Sequence, residues 1–358
     1  MEKVKLNKVK KNYKKILLLK ISSLFLLLIF KITYLNLKKI GVIGLAHSLN
    51  IGNNLVKYAI SIKLTELGFD PYIIGMRFHN QSTSFLRKFT KLKVINNFQE
   101  IKENEYDILM VNSDQTWRKT ETYFYDVAFL DFAKNWNKPK IVYAASLGLS
   151  TWPLTKLDED IAKNLLKNFT GISVREKGAI KLVQSHLGFK PTFVLDPTLL
   201  IDKRYYLKLI KNYKNDIPID NNFIIVYTVT NSNDFKKYIN SIREKYNFKI
   251  YFINCFVKNH IKKFIYGIYN SKAVITDSFH GTIFSIIFNK PFISFVCKWN
   301  GRERFKTLKE IFNIQNRIYD WNSKPDLKLL DIPLNINKTL LNSLRAQSIN
   351  FLKNSLFK

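Results

Sequence analysis

Cysteine is scarce: Cys255 and Cys297 are the only two in 358 residues. Two thiols allow one disulfide at most and rule out a cysteine-only zinc site. The expectation is a pair of reduced core thiols in a cytoplasmic setting. Arginine is also sparse, with ten against 48 Lys, and acids number 27 against 58 basic residues. The net charge of +31 accompanies many Asn, Ile and Phe, the pattern of an AT-rich coding bias. Lysine is spread along the chain and no nucleic-acid motif appears, so nucleic acid is not an expected partner.

Several signatures are missing as well. There is no G-x-G-x-x-G, no G-x-x-x-x-G-K-[ST], no H-E-x-x-H and no G-x-S-x-G. The one Asp-x-Asp, Asp158-Glu-Asp160, falls in a helical stretch. A metal-chelating glycosyltransferase site is therefore not expected, and no metal ligand cluster is visible.

What is present suffices for two domains, with 46% hydrophobic residues to build their cores. Residues 1–37 stand apart. Residues 1–40 hold eleven Lys and one acid, Glu2, around an apolar run from Ile16 to Phe30. That run is shorter than the roughly 20 residues of a membrane span and contains Lys20. No small-residue cleavage site follows it. A helix lying on an anionic membrane surface is the leading expectation. A spanning anchor and a helix packed on the protein body are the alternatives.

From Lys39 onward, short apolar strands alternate with helical patterns. Strands are expected at 39–45, 71–75, 106–111, 140–145, 172–174 and 193–195. After a Lys- and Asn-rich stretch at 201–222 the alternation restarts, with strands at 223–227, 249–253, 273–276 and 291–295. Helices are expected at 233–246, 259–270, 280–288 and 303–313. Such alternation predicts α/β architecture with parallel sheets covered on both faces. The expected layout is two Rossmann-like domains facing across a cleft, 38–210 and 211–325. An amphipathic C-terminal helix follows within 326–358, burying Leu340, Leu341, Leu344, Phe351 and Leu356.

Ligands of such sheets bind beyond the carboxyl ends of the strands. Those positions hold Asn50 and Asn53, Asp114 and Gln115, Ser146, Arg175, Asp196, and Asp277-Ser278-Phe279-His280-Gly281. The last group is the best anion pocket, with Ser278 or Asp277 capping a helix whose first turn carries His280 and Gly281. Asp277 is expected to cap that helix or orient His280. Asp196, before Pro197, reads as structural. Trp117 and Phe279 read as core packing, with stacking on a ligand or shaping the pocket as the alternative. His47 reads as an incidental loop histidine.

The stretch Thr276-Asp-Ser-Phe-His-Gly-Thr-Ile-Phe-Ser-Ile-Ile-Phe-Asn-Lys-Pro-Phe292 resembles the C-terminal signature of the polysaccharide pyruvyl transferase family. His47–Asn53, Ser113-Asp-Gln-Thr-Trp117, Tyr143–Gly148, Ser173-Val-Arg-Glu-Lys177 and Asp196-Pro-Thr-Leu-Leu200 resemble further family segments in the same order. Arg302 or Arg304 stands where the family has a late arginine. The resemblance spans about residues 39–357. Asn112 departs from the family glycine before Ser-Asp-Gln, and Asn54 and Val56 alter a helix opening that often reads Leu-Gln.

The resemblance implies a fold like the GT-B glycosyltransferases. It also implies transfer of a pyruvyl group from phosphoenolpyruvate to two sugar hydroxyls, forming a cyclic ketal. No cofactor is implied beyond phosphoenolpyruvate as co-substrate. Arg175 and Arg304 are the expected anion-binding residues, since a planar fork matches carboxylate and phosphate. Retained arginines in so lysine-rich a chain are informative. His280 is the expected general acid and Asp114 the hydroxyl acceptor or base. Ser278, Gly281, Asn50, Asn53, Gln115 and Ser146 complete the expected substrate-binding set. The acceptor would be a glycan or lipid-linked sugar, and the enzyme cytoplasmic and peripheral to the inner membrane face. A nucleotide-sugar glycosyltransferase on the same scaffold, or a non-enzymatic binder of polyanions or membranes, are the alternatives.

Overall fold

The computed structural model describes residues 37–45, 50–76, 83–119, 123–213, 222–230, 232–246, 249–254, 260–296, 301–321 and 323–357. The extension up to residue 36, His47, Cys255 and Cys297 lie outside the described residues, and the expectations about them with it.

Seven parallel strands form the first sheet. They are β1 (Lys39–Ile43), β2 (Asp70–Met76), β3 (Lys91–Ile95), β4 (Ile108–Val111), β5 (Lys140–Ala145), β6 (Phe169–Val174) and β7 (Thr192–Phe193), in the order β3-β2-β1-β4-β5-β6-β7. Five more form the second sheet. They are β8 (Phe223–Thr228), β9 (Lys249–Asn254), β10 (Ala273–Thr276), β11 (Phe292–Val296) and β12 (Ile318–Asp320), in the order β12-β11-β10-β8-β9. All pairings are parallel, so helical crossovers cover both faces and the strands become apolar runs. β4, β5 and β8 are buried at every residue. The strand order reverses between β1 and β4 and between β8 and β10, which places a crevice at each reversal.

The 201–222 stretch, read as a break between domains, holds the helix Lys203–Ile210. That helix helps join the two halves. Tyr206, fully buried, packs edge-on against Phe284 of the second half at 4.8 Å and against Tyr58 of the first at 6.2 Å. One continuous apolar core runs from Ile40 to Leu356 and includes residues of both sheets.

The helix Lys338–Leu356 returns to the first sheet. Ser348 Oγ accepts a hydrogen bond from the Leu195 amide at 2.9 Å, and Phe351 lies against Tyr143. A Cβ on Gly171 of β6 would fall 2.2 Å from Ser355 Oγ, so only glycine lets the helix approach there. The buried face corrects the expected one. Leu356 is buried and Leu341, Leu344 and Phe351 are half-buried, but Leu340 is 39% exposed while Ser348 and Leu352 are buried. Small serines allow close packing that a count of leucines does not reveal. Full burial of Leu352 and Leu356 contributes about 1.5–3 kcal/mol each. Among the described residues, no helix is long and apolar enough to cross a membrane.

Candidate active site

The crevices of the two sheets meet over Phe279. The chain leaves β6 at Val174, which brings Arg175 out at the carboxyl end of the sheet, 3% exposed. Arg175 Nη1 bonds Asp196 Oδ2 at 2.6 Å and its Nη2 lies 3.3 Å from Asp114 Oδ1. The guanidinium carbon sits 4.8 Å from the centre of the Phe279 ring. Arg304, from the helix Arg302–Phe312, lies 4.9 Å from the same ring centre. Two cations from opposite halves of the molecule thus share one aromatic side chain.

Asp114 follows β4 with φ at 115°, a region that side-chain-bearing residues rarely occupy. This strained backbone turns its carboxylate toward Arg175, and Asn53 Nδ2 approaches the other oxygen at 3.4 Å. Asn53 stands in the first turn of the helix Ile51–Glu66, which Asn50 caps by accepting from the Asn53 amide. Asn50 is exposed at the rim. Burial pushes the Asp114 carboxyl up, but Arg175, then His280 and Arg304, outweigh it and hold it below the usual carboxylate range.

His280 reaches this cluster from the second sheet. It is buried, and its Nε2 is 3.6 Å from Asp196 Oδ2, an ion-pair separation rather than a hydrogen bond. Asp196 is more than the structural residue expected. It does cap the helix Pro197–Leu200 through Thr198, yet it also ties Arg175 and faces His280. Burial would raise its carboxyl, but His280, Arg175 and Thr198 hold it far below the usual range.

Other expected residues are placed differently. Ser278 caps the helix Phe279–Ile287 by accepting from the Gly281 amide at 3.3 Å, which uses that amide and leaves the Ser278 hydroxyl proton to donate. Gly281 is required for packing, since a Cβ there would lie 2.3 Å from Thr276 Oγ1. Asp277 neither caps that helix nor orients His280. Its carboxylate accepts from the Val229 amide at 2.7 Å, the Thr230 amide at 3.1 Å and the Thr228 hydroxyl at 2.7 Å, tying the chain that leaves β8 to the end of β10. Gln115 packs against Gly148, whose Cβ would meet Gln115 Nε2 at 2.1 Å. Trp117 is core, with its indole N–H on the Ala128 carbonyl. Of the two late arginines, Arg302 pairs with Asp320 at the surface and Arg304 enters the site.

Phe279, expected chiefly as packing, is the platform for both arginines. One participant escaped the sequence reading. Glu176, 1% exposed, receives the Ser146 hydroxyl and the Gly148 amide on Oε1, while Oε2 has no hydrogen-bond partner among the described residues. Burial pushes its carboxyl up, and Arg175, Ser146 and Arg304 only partly offset that. The scarcity argument applied to arginine applies equally to an acid at a strand end, and it would have found Glu176. Burial, then repulsion from Arg175, pulls Arg304 down to about 10, so it stays cationic at neutral pH.

Comparisons with solved structures agree with the two-sheet architecture. A putative UDP-N-acetylglucosamine 2-epimerase from Listeria monocytogenes superposes with TM-score 0.54 at 13% identity, over 89% of this chain and 96% of that one. S. aureus MnaA, in a co-structure with UDP, gives 0.51 at 14% identity over 89% and 90%. Arabidopsis thaliana UGT89C1, complexed with UDP-L-rhamnose, gives 0.50 at 8% identity over 89% and 98%. At these identities the likeness is one of fold, the two-domain GT-B arrangement. No curated protein matches the sequence. The family model for polysaccharide pyruvyl transferase matches residues 50–298, which includes Asp114, Arg175, Glu176, Asp196 and His280 and stops short of Arg304. By that match, over most of its length, the chain belongs to the polysaccharide pyruvyl transferase family.

Proposed function

We propose that the protein transfers the pyruvyl group of phosphoenolpyruvate to two hydroxyls of one sugar, making a cyclic ketal on a surface polysaccharide or its lipid-linked precursor. The observation that carries this reading is the meeting of Arg175, Arg304 and His280 around Phe279. Phosphoenolpyruvate packs a carboxylate and a phosphate onto one carbon, and two planar guanidinium groups suit that pair. Arg175 is already balanced by Asp114 and Asp196. Arg304 has an Nε with no hydrogen-bond partner among the described residues, which makes it the main anion ligand.

His280 delivers a proton to C3, turning the methylene into a methyl group while C2 gains cation character. The oxygen of a first sugar hydroxyl bonds to C2 and its proton passes to the imidazole. The oxygen of a second hydroxyl then bonds to C2 as the C2–O bond to phosphate breaks, and that hydroxyl's proton leaves with the phosphate as hydrogen phosphate. Asp114, held ionised by Arg175, is too weak a base to take these protons. It accepts a hydrogen bond from a sugar hydroxyl and orients it, with Asn53 beside it.

The acceptor is a glycan or lipid-linked sugar, and the eleven lysines of residues 1–40 suit attachment to an anionic membrane surface on the cytoplasmic side. Calorimetry at fixed salt tests the donor. Saturable phosphoenolpyruvate binding, at least tenfold tighter than phosphate or pyruvate and lost in Arg304→Ala, is the expected result. Binding no tighter than phosphate, with tight binding of a UDP-sugar, would replace this reading with a nucleotide-sugar transferase.

A further inference from the structure

We propose that Glu176 is a second proton donor of this site, giving its proton to the phosphate oxygen that leaves C2. The inference rests on the ketal reading above and starts from its proton balance. One proton must reach C3 and another must reach the departing phosphate. Two hydroxyl protons must be removed. His280 gives one proton and recovers one in the first addition. The second substitution needs a group of its own.

Glu176 is placed for that work. It directly follows Arg175 at the carboxyl end of β6 and is buried beside Ser146, which follows β5. Its Oε1 is occupied by the Ser146 hydroxyl and the Gly148 amide, 3.3 Å away. Its Oε2 is buried without a hydrogen-bond partner among the described residues. A buried carboxylate oxygen with no donor is costly, whereas a protonated one becomes a donor itself.

The charged groups around it are Arg175 and Lys177 on its own segment, Asp114 beyond Ser146, and Arg304 and Glu303 from the facing helix, with Lys177 engaged by Glu310. Arg175 and Arg304 favour the ionised form, yet burial prevails and the carboxyl is held above its ordinary value. A neutral Glu176 leaves two arginines against Asp114 and Asp196. An ionised one would add a third negative charge facing a substrate that is itself an anion.

The step balances as follows. The C2–O bond to phosphate breaks with its electron pair going to the oxygen, which takes the proton of Glu176. The second sugar oxygen bonds to C2 and its proton returns to the Glu176 carboxylate. Phosphate departs as hydrogen phosphate, and both Glu176 and His280 end as they began.

The test joins binding to turnover. Phosphoenolpyruvate affinity is measured by calorimetry from pH 5 to 9, and phosphate release is followed with methyl glycosides bearing free diols as acceptors. In the wild type, affinity is expected to fall as pH rises and Glu176 ionises. Glu176→Gln, whose carbonyl can still accept from Ser146 and Gly148, should bind within threefold of the wild type at the acid end of that range and lose the alkaline fall. Its phosphate release should drop by about 10²–10⁴-fold, with Glu176→Asp recovering part of it. Ser146→Ala removes a hydrogen bond that favours the ionised form and should move the alkaline fall to higher pH. The proposal is overturned if Glu176→Gln releases phosphate within threefold of the wild-type rate, or if the alkaline fall persists unchanged in it. If Glu176→Gln does not fold, an unshifted fall in Ser146→Ala overturns it equally. A wild type that binds no phosphoenolpyruvate at any pH sinks the underlying ketal reading, a separate and visible failure.

Discussion

The His280 imidazole occupies the space that a side chain at residue 52 would fill: a Cβ on Gly52 would lie 2.0 Å from His280 Nδ1. Gly52 belongs to the first half of the molecule and His280 to the second, so this contact sets how closely the two approach. Gly52→Ala should push the imidazole away from Asp196. The overpacking is expected to cost about 1–3 kcal/mol of stability. A displacement near 1 Å should lower kcat/KM by roughly 10²-fold. Thermal melting and phosphate release check the two parts. An alanine variant with wild-type turnover would show that the imidazole can move without loss.

Arg304→Lys keeps the charge and removes the planar fork from the face of Phe279. Loss of one charge-assisted hydrogen bond, worth about 1.5–3 kcal/mol, should weaken phosphoenolpyruvate binding by about 10–150-fold. Calorimetry reads this directly. An unchanged dissociation constant would mean that a point charge is enough there.

Asp277 is expected to matter for stability rather than chemistry. Replacement by alanine removes the carboxylate that accepts from the Val229 and Thr230 amides at the end of β8. A lost hydrogen bond to a charged group costs about 1.5–3 kcal/mol. The melting temperature of Asp277→Ala should fall clearly, while phosphoenolpyruvate affinity of the folded variant stays within threefold of wild type. A large loss of affinity with normal melting would instead place Asp277 at the ligand.

The carboxyl of Asp196 is lower in the folded protein than in the unfolded chain, where it lies near 3.9. Its stabilisation is therefore complete above about pH 4 and is lost as pH falls toward the folded value. Asp196→Asn preserves the cap on Thr198 but leaves Arg175 with Asp114 alone. Breaking such a buried pair should cost about 3–5 kcal/mol near neutral pH. Below pH 4 the variant's stability should depend less on pH than that of the wild type. Glu176, shifted the other way, destabilises as pH rises, so Glu176→Gln should be no less stable than wild type at pH 8. Chemical denaturation across pH 3–8 tests both signs.

Most of the sheet framework was legible in the sequence because fully buried parallel strands read as short apolar runs. The strands at 140–145 and 273–276 and the helix at 233–246 fall where expected. Two edge strands did not announce themselves. β3 alternates lysine with apolar residues, since it is half solvated, and β12 is only three residues long. The site was legible as a set of strand ends but not as a network. Arg175, His280 and Asp114 stood out in the sequence because each lies just beyond a strand. The partnership of Asp196 with Arg175 was hidden, because a capping role on Thr198 already explained that aspartate locally. Gly281 differs for the opposite reason: its place in the pattern announces an open amide for an anion, while that amide already donates to Ser278.

The helix Lys338–Leu356 has a consequence for the order in which the chain can be assembled. It covers β6, yet β6 and β7 are complete by Phe193, far earlier in the sequence. At about 5–20 residues per second on the ribosome, the intervening segment takes roughly ten to thirty seconds to emerge. Throughout that interval the surface destined for Phe351 and Leu352 faces solvent, in an early half whose strands are otherwise in place. Folding of the first half therefore finishes only after the second has been made. The nascent chain therefore presents a sticky, unfinished sheet during almost half of its synthesis, a natural docking point for a chaperone.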